Sequence, residues 1–84
     1  MKAIVYTGPG WIWCDRVKSL LKDNNYEIDE RPVRDNMEVL YTLNNNEYIR
    51  SIPQVVIDGS LVGGFAEVES KIKGLQSINK IWLK

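Results

Sequence analysis

The 84-residue sequence contains no histidine and a single cysteine, Cys14. Without histidine, a Cys/His catalytic pair and a histidine-ligated zinc site are both excluded. Because one cysteine cannot form an internal disulfide, the sequence is unlike that of a small disulfide-stapled secreted protein. We therefore expect a cytoplasmic protein.

The sequence also lacks an excess of charge of either sign and any long apolar run. Eleven basic and eleven acidic residues leave no net charge, and no basic cluster of the kind that binds nucleic acid is present. The longest apolar runs, residues 3–6 and 55–57, are far shorter than a membrane span, and the first residues do not resemble a signal peptide. We expect no nucleic-acid or membrane partner. A chain of this length forms one core, so we expect a single domain over residues 1–84.

Hydrophobic periodicity predicts an alternation of strands and helices. Strands show short β-branched or aromatic runs, and helices show apolar residues at spacings of three and four. The predicted elements are a strand over residues 2–7, a helix over 14–22, a strand over 26–33, a helix over 36–43, strands over 54–57 and 60–62, and a helix over 65–75. We interpret the tail, residues 77–84, as a further short helix packed on the sheet, with a strand as the alternative.

The clearest local signal is the Asp58-Gly59 pair between two β-rich runs, which predicts a type I′ hairpin. A hairpin makes the last two strands antiparallel, whereas a right-handed helical crossover makes the first two parallel. The predicted fold is therefore α/β, with the order β-α-β-α-β-β-α, a four-stranded mixed sheet and helices on both faces.

Three motifs in this order resemble those of a glutaredoxin, a member of the thioredoxin-like superfamily, of the small bacterial or phage type. The first runs from Val5-Tyr6-Thr7 through Trp11-x-x-Cys14 to Leu20-Leu21, and the others are Ser51-Ile52-Pro53 and Gly63-Gly64-Phe65. The resemblance implies a glutathione-dependent thiol–disulfide oxidoreductase with a thioredoxin-like fold, acting as a monomer. Its implied partners are glutathione, as a co-substrate, and protein disulfides or glutathionylated proteins.

Glutaredoxins usually carry Cys-x-x-Cys at the start of the first helix, and the first of these cysteines is the nucleophile. Alignment on the residues before and after the motif places Trp11 at that nucleophile position. Cys14 falls at the position of the second, resolving cysteine. Because an indole cannot attack a disulfide, the resemblance implies impaired activity, and iron–sulfur assembly, which needs a thiolate at position 11, is not expected. No metal is expected.

Two interpretations of Cys14 remain open. It belongs to the same helical stripe as Val17 and Leu21, which favours a small buried core residue, since free cysteine is among the most buried residue types. The alternative is a thiol that still exchanges with disulfides.

The Ser51-Ile52-Pro53 motif also has two interpretations. A proline at this point can simply open a strand, where no backbone donor is required. The resemblance instead implies a cis Ile52–Pro53 bond facing the first helix. The backbone N–H and C=O of Ile52 would then pair with the cysteine of glutathione as a short added strand.

The remaining candidate glutathione-binding residues lie in three places. Gly63-Gly64 can merely end the hairpin, but the N–H groups of Phe65 and Ala66 at the next helix start suit the γ-glutamyl carboxylate. Family members often have aspartate in place of Ala66. Arg50 is either an ordinary exposed arginine or the partner of the glycine carboxylate, and Trp13 would flank the tripeptide.

The sequence leaves two functions open. One is a glutathione-using glutaredoxin whose reductase activity is impaired by Trp11. The other is a redox-silent thioredoxin-fold module that binds glutathione, a peptide or a protein partner through Trp11, Trp13, Ile52 and Gly64, since exposed tryptophans are frequent at interfaces.

Overall fold

The computed structural model describes residues 1–9 and 12–82, and for residues 75–82 it describes only the backbone. The described chain contains four strands and three helices in the predicted order. They are β1 (Lys2–Thr7), α1 (Ile12–Asp23), β2 (Glu27–Pro32), α2 (Met37–Leu43), β3 (Gln54–Ile57), β4 (Ser60–Gly63) and α3 (Phe65–Trp82).

The four strands form one mixed sheet in the order β2-β1-β3-β4. β1 is parallel to β2, and β3 is antiparallel to both β1 and β4. This arrangement confirms the predicted α/β architecture. It also places the carboxyl end of β1 beside the amino end of β3, so the loop before α1 and the Ser51–Pro53 segment lie at the same edge of the sheet.

One face of the sheet is covered by α1 and α3. Alternate residues of β1 and β3 point to this face, as the two-residue period of a strand requires. With the buried stripes of the two helices they form the larger core, which consists of Ala3, Val5, Val17, Leu21, Tyr26, Val55, Ile57, Val68 and Ile72. This core fixes α1 against α3, and their amino-terminal ends carry several of the candidate site residues.

The opposite face is covered by α2 and the loop that follows it. Tyr6, Leu40 and Val56 form its buried centre, with Val33 and Ile49 among the half-buried residues packed against it. Because β3 lies between the two cores, all four of its residues are buried. A strand that is buried throughout and carries an apolar run such as residues 55–57 is typical of a sheet covered on both faces.

Asp58 and Gly59 join β3 to β4 with positive φ angles of 53° and 78°. A type I′ turn requires positive φ at both central residues, so the predicted hairpin is confirmed.

The interpretation of the tail as a separate short helix, or as a strand, was wrong. α3 continues without interruption to Trp82. No proline interrupts residues 65–82, and a helix that has already formed extends at low cost because each added residue contributes one more hydrogen bond. Leu83 and Lys84 lie outside the described residues.

Over the described part of the chain, no helix is both long enough and apolar enough to span a membrane.

β2 is an edge strand, and charged residues protect its free edge. Arg31 donates hydrogen bonds to the Asp29 carboxylate, with 2.8 Å between Arg31 Nη2 and Asp29 Oδ2. The two residues are separated by one position, so both side chains project from the same face of the strand. Charged side chains on an edge discourage pairing with a second sheet.

The Arg31 hydrogen bond lowers the pKa of Asp29 below its ordinary value of 3.8. A lowered carboxyl pKa contributes stability at pH above 3.8, and that contribution disappears as the pH falls through the folded-state pKa. We expect Asp29→Asn to lower the free energy of unfolding slightly at about pH 7 and not at about pH 2. Urea unfolding at both pH values measures the difference. Asp35→Asn, which removes an exposed carboxylate with no ion pair to another described residue, is the control for the loss of one negative charge.

Candidate functional site

A groove lies between the amino-terminal ends of α1 and α3, over the segment that precedes β3. It has a volume of about 260 Å³, and we call it the cis-proline groove. Its lining contains every predicted glutathione-binding residue except Arg50. The lining residues are Trp13, Ser51, Ile52, Pro53, Gly64, Phe65, Ala66 and Glu67. Three segments that are distant in the sequence therefore meet at one place.

The floor of the groove is the Ile52–Pro53 peptide bond, which is cis, as predicted from the Ser51-Ile52-Pro53 motif. Gln54 holds this segment in place. Its buried amide Nε2 donates a hydrogen bond of 2.9 Å to the carbonyl oxygen of Ser51. Burying a polar side chain is favourable only when its hydrogen bonds are satisfied, so Gln54 ties the loop to β3.

One wall of the groove is the indole of Trp13, which is 43% exposed. Its ring lies 5.4 Å from that of Phe65, at an interplanar angle of 51°. The guanidinium of Arg16 lies 4.6 Å above the Trp13 ring, a cation–π contact. Trp13 is therefore held between α1 and α3 while part of its surface stays open to a ligand.

The other wall is the start of α3. Gly64 is so close to the floor that a β-carbon there would lie 3.3 Å from the carbonyl oxygen of Pro53. The Glu67 side chain folds back over Gly63 and Gly64. The first N–H groups of a helix have no partner within the helix and favour anions, so Phe65 and Ala66 present donors at the groove.

Cys14 lies in α1 and is buried, with 3% of its surface exposed. It shares the buried stripe with Val17 and Leu21. Trp11, placed by the family pattern at the nucleophile position, lies outside the described residues, and α1 begins at the next residue in the sequence, Ile12.

A larger cavity of about 620 Å³ lies elsewhere, between α1 and the carboxyl ends of β1 and β2. Its charged lining residues pair with one another: Lys18 Nζ lies 2.6 Å from Glu30 and 3.5 Å from Asp15. The Glu30 hydrogen bond raises the pKa of Lys18. Because these charges are already paired with one another, they are less available to a ligand than the backbone donors of the smaller cis-proline groove.

Arg50 does not line the cis-proline groove. It lies beside a second, apolar groove that also borders Ser51 and Ile52. Within the described ranges no ion pair involves Arg50, so its guanidinium is available to a carboxylate.

Three residues of the site are not predicted from the sequence. Gln54 positions the loop, Arg16 covers Trp13, and Glu67 lines the groove. A polar residue at the head of an all-apolar strand was the available signal for Gln54. Arg16 lies three positions after Trp13, on the same helical face. Glu67 and Lys71 have the four-residue helical spacing that favours an ion pair but do not form one, whereas Glu69 and Lys73 do pair, at 3.4 Å.

No group of three or more Cys, Asp or Glu residues in residues 1–9 and 12–82 is arranged to hold a metal ion.

The family model for glutaredoxin matches residues 3–62, which is most of the chain. The chain belongs to the glutaredoxin family. The family and the fold support a role of the thiol–disulfide oxidoreductase type. A comparison with curated protein sequences found no match.

Solved glutaredoxin structures are similar to this chain over most of its length. Glutaredoxin 1 from Francisella tularensis, solved with cacodylate, is 25% identical and covers 90% of this chain and 96% of its own, with a TM-score of 0.69. A thioredoxin-like protein is 34% identical, covering 94% of this chain and 95% of its own, with a TM-score of 0.58. A buckwheat glutaredoxin, solved in complex with glutathione, is 19% identical. The match covers 92% of this chain and 73% of the buckwheat chain, with a TM-score of 0.72. The last likeness shows the fold alone.

Proposed function

We propose that this chain is a glutaredoxin-type oxidoreductase scaffold that binds glutathione in the cis-proline groove. Its disulfide reductase activity is impaired because Trp11 stands at the position of the nucleophilic cysteine. The observation that carries the proposal is the convergence of Trp13, the Ser51–Pro53 segment and the start of α3 on one groove, while the single cysteine is buried in α1.

Each part of the groove suits one part of glutathione. The exposed backbone of Ile52 would pair with the cysteine of the tripeptide, as one strand pairs with another. The N–H groups of Phe65 and Ala66 would hold the γ-glutamyl carboxylate at the positive end of the α3 dipole. Arg50, on the other side of Ile52, would then meet the glycine carboxylate. A buckwheat glutaredoxin has been solved in complex with glutathione, which supports this ligand for the same fold.

The step that Trp11 removes is the attack on sulfur. In thiol–disulfide exchange a thiolate attacks one sulfur of a disulfide, and the other sulfur leaves as a thiolate. Position 11 directly precedes the first residue of α1, and a thiol at a helix start has a lowered pKa and a larger thiolate fraction. Tryptophan offers neither a thiolate nor a leaving group. We place the protein in the cytoplasm, where free cysteines stay reduced.

The second candidate function is a redox-silent module that binds glutathione, an extended peptide or a protein partner. The partial exposure of Trp13 at the groove favours it, because aromatic residues supply much of the binding energy at interfaces. Turnover of a glutathionylated peptide with glutathione as reductant separates the two functions. The silent module gives no turnover above the uncatalysed rate, whereas an impaired oxidoreductase that still uses Cys14 exceeds it.

The role of Arg50 is tested with two ligands. We expect Arg50→Gln to weaken glutathione binding about threefold to tenfold, since an exposed charge-assisted hydrogen bond is of modest strength. The same substitution should leave unchanged the affinity for glutathione whose glycine carboxyl group is amidated, because that ligand lacks the glycine carboxylate. Tryptophan fluorescence titration measures both affinities.

Arg34→Gln is the matched control, because Arg34 is exposed and lines neither groove. A loss of affinity for both ligands in Arg50→Gln would mean that Arg50 supports the fold of the loop and does not contact the glycine carboxylate. If the unmodified chain binds neither ligand, glutathione is not its co-substrate.

A further inference from the structure

The second groove beside Ile52 is apolar, and its Val33, Met37 and Ile49 walls have no role in the binding of glutathione described above. Its volume is about 520 Å³, and we call it the α2 groove. Its lining residues are Val33, Met37, Ile49, Arg50, Ser51 and Ile52. Ser51 and Ile52 line the cis-proline groove as well. The two grooves therefore share one short backbone segment.

The walls of the α2 groove combine fixed and adaptable side chains. Val33 and Ile49 pack against the buried Tyr6, Leu40 and Val56 cluster, which holds them in place. Met37, the first residue of α2, is 36% exposed. A methionine side chain is flexible and adapts to differently shaped apolar partners. The groove is thus suited to an aliphatic side chain and not to a charged one.

The direction of a bound ligand follows from the proposed function, on which this inference rests. With the γ-glutamyl carboxylate at Phe65 and Ala66 and the cysteine at Ile52, the chain of the ligand runs toward Arg50. The residues that follow the cysteine therefore reach the α2 groove. Glutathione has only glycine there and leaves the groove without a side chain. An extended polypeptide advances about 3.3 Å per residue, so its first two residues after the cysteine fall within reach.

We propose that the α2 groove is a specificity subsite for an extended polypeptide that carries an aliphatic residue in one of the two positions after a cysteine. The charge at the mouth of the groove adds a second requirement. Because Arg50 forms no ion pair with another described residue, an acidic residue shortly after the aliphatic one complements it. The partner is therefore a cysteine-containing protein segment with aliphatic and then acidic residues, bound by its main chain to Ile52.

The test uses short peptides with a single S-methylated cysteine, so that only non-covalent binding is measured. The host sequence is Gly-Gly-Cys-Gly-Gly-Asp, and leucine replaces one glycine at a time. We expect leucine at the first or second position after the cysteine to tighten binding about fivefold to tenfold, the effect of partly burying one aliphatic side chain. Leucine immediately before the cysteine faces the α3 side and should change the affinity less than about twofold.

Two substitutions on α2 identify the groove. Met37→Ser should abolish most of the gain from leucine and leave the glutathione affinity unchanged. Val39→Ser is the matched control, because Val39 is on the same helix, is 47% exposed and does not line the groove. Replacing the aspartate of the peptide by asparagine should weaken binding to the unmodified chain and not to Arg50→Gln.

Equal affinity for the host and leucine peptides, with glutathione still bound, would overturn the subsite and leave the proposed function intact. Failure of glutathione to bind, with the leucine peptides still favoured, would reject glutathione as co-substrate and support the peptide subsite. The remaining possible occupant of the α2 groove is a second copy of this chain, which sedimentation velocity tests. If the unmodified chain forms a dimer that Met37→Ser abolishes, and the substitution has no effect on peptide affinity, the groove is a self-association surface and the proposal is wrong.

Discussion

Trp11→Cys is expected to turn the chain into an efficient glutathione-dependent reductase. We expect the rate of reduction of a glutathionylated peptide to rise roughly 100-fold or more, because nucleophilic catalysis depends on the attacking group itself. The introduced thiolate attacks the glutathione sulfur, and the peptide leaves as a thiolate that takes a proton from water. A second glutathione thiolate then attacks the mixed disulfide, which yields oxidised glutathione and regenerates the enzyme thiolate. A coupled assay for oxidised glutathione follows the turnover.

Trp11→Ser is the control for the loss of the indole. It removes the same bulk without adding a nucleophile, so its rate should stay at that of the unmodified chain. Comparable gains in the Ser and Cys variants would mean that Trp11 blocks the groove and that another group performs the attack. No gain in either would mean that position 11 is not the nucleophile position, and the alignment on the Cys-x-x-Cys pattern would be wrong.

The Trp11→Cys variant also allows a test of the two interpretations of Cys14. If Cys14 is the resolving thiol, adding Cys14→Ala to Trp11→Cys should abolish the reduction of an intramolecular protein disulfide in the absence of glutathione. If Cys14 is only a core residue, neither the single nor the double variant should reduce that disulfide, because one thiol without glutathione stops at a mixed disulfide. Cys14 is buried in α1 beside Val17, which agrees with the core interpretation that the helical spacing favours.

The parts of the fold that were predictable are those set by local periodicity. Alternation along β1 separates Ala3 and Val5 from Tyr6, and the structure places them in the two different cores. The Asp58-Gly59 turn follows from the φ angles that a type I′ turn requires. The end of α3 was not predictable in this way, because residues 75–82 contain no glycine or proline that would end a helix.

The site was predictable as a set of residues and not as an arrangement of contacts. The motif pattern identified Trp13, Pro53 and Gly64, which do line one groove. The contact between Trp13 and Phe65 depends on the packing of α1 against α3, and such long-range contacts leave no periodic signal in the sequence. The position of the Glu67 side chain depends on its rotamer. Glu67 and Lys71 are four residues apart, a spacing that favours an ion pair, but the Glu67 side chain instead occupies the space that Gly63 and Gly64 leave open.

Adding a methyl group at Gly63 should lower the stability of the fold for two reasons. Its φ angle is 124°, a conformation that residues with a β-carbon rarely adopt. A β-carbon there would also lie 2.9 Å from Glu67 Cγ and 3.1 Å from Cδ. We expect Gly63→Ala to lower the free energy of unfolding by about 1–3 kcal/mol. Because Gly63 leads into α3, the substitution should also displace the Phe65 and Ala66 donors and weaken glutathione binding.

Two further variants test the causes of this loss. Adding Glu67→Ala removes the Cγ and Cδ contacts but keeps the 3.0 Å contact with the β-carbon of residue 67 and the positive φ angle, so it should restore only part of the lost stability. Gly74→Ala is the matched control, since a β-carbon at Gly74 meets no described atom within 4 Å, and alanine in a helix is favoured over glycine by about 0.5–1 kcal/mol. Urea unfolding should therefore shift in opposite directions for Gly63→Ala and Gly74→Ala. A stabilised Gly63→Ala variant would mean that the junction between β4 and α3 adopts a different backbone conformation, and the donors placed at the cis-proline groove would have to be reassigned.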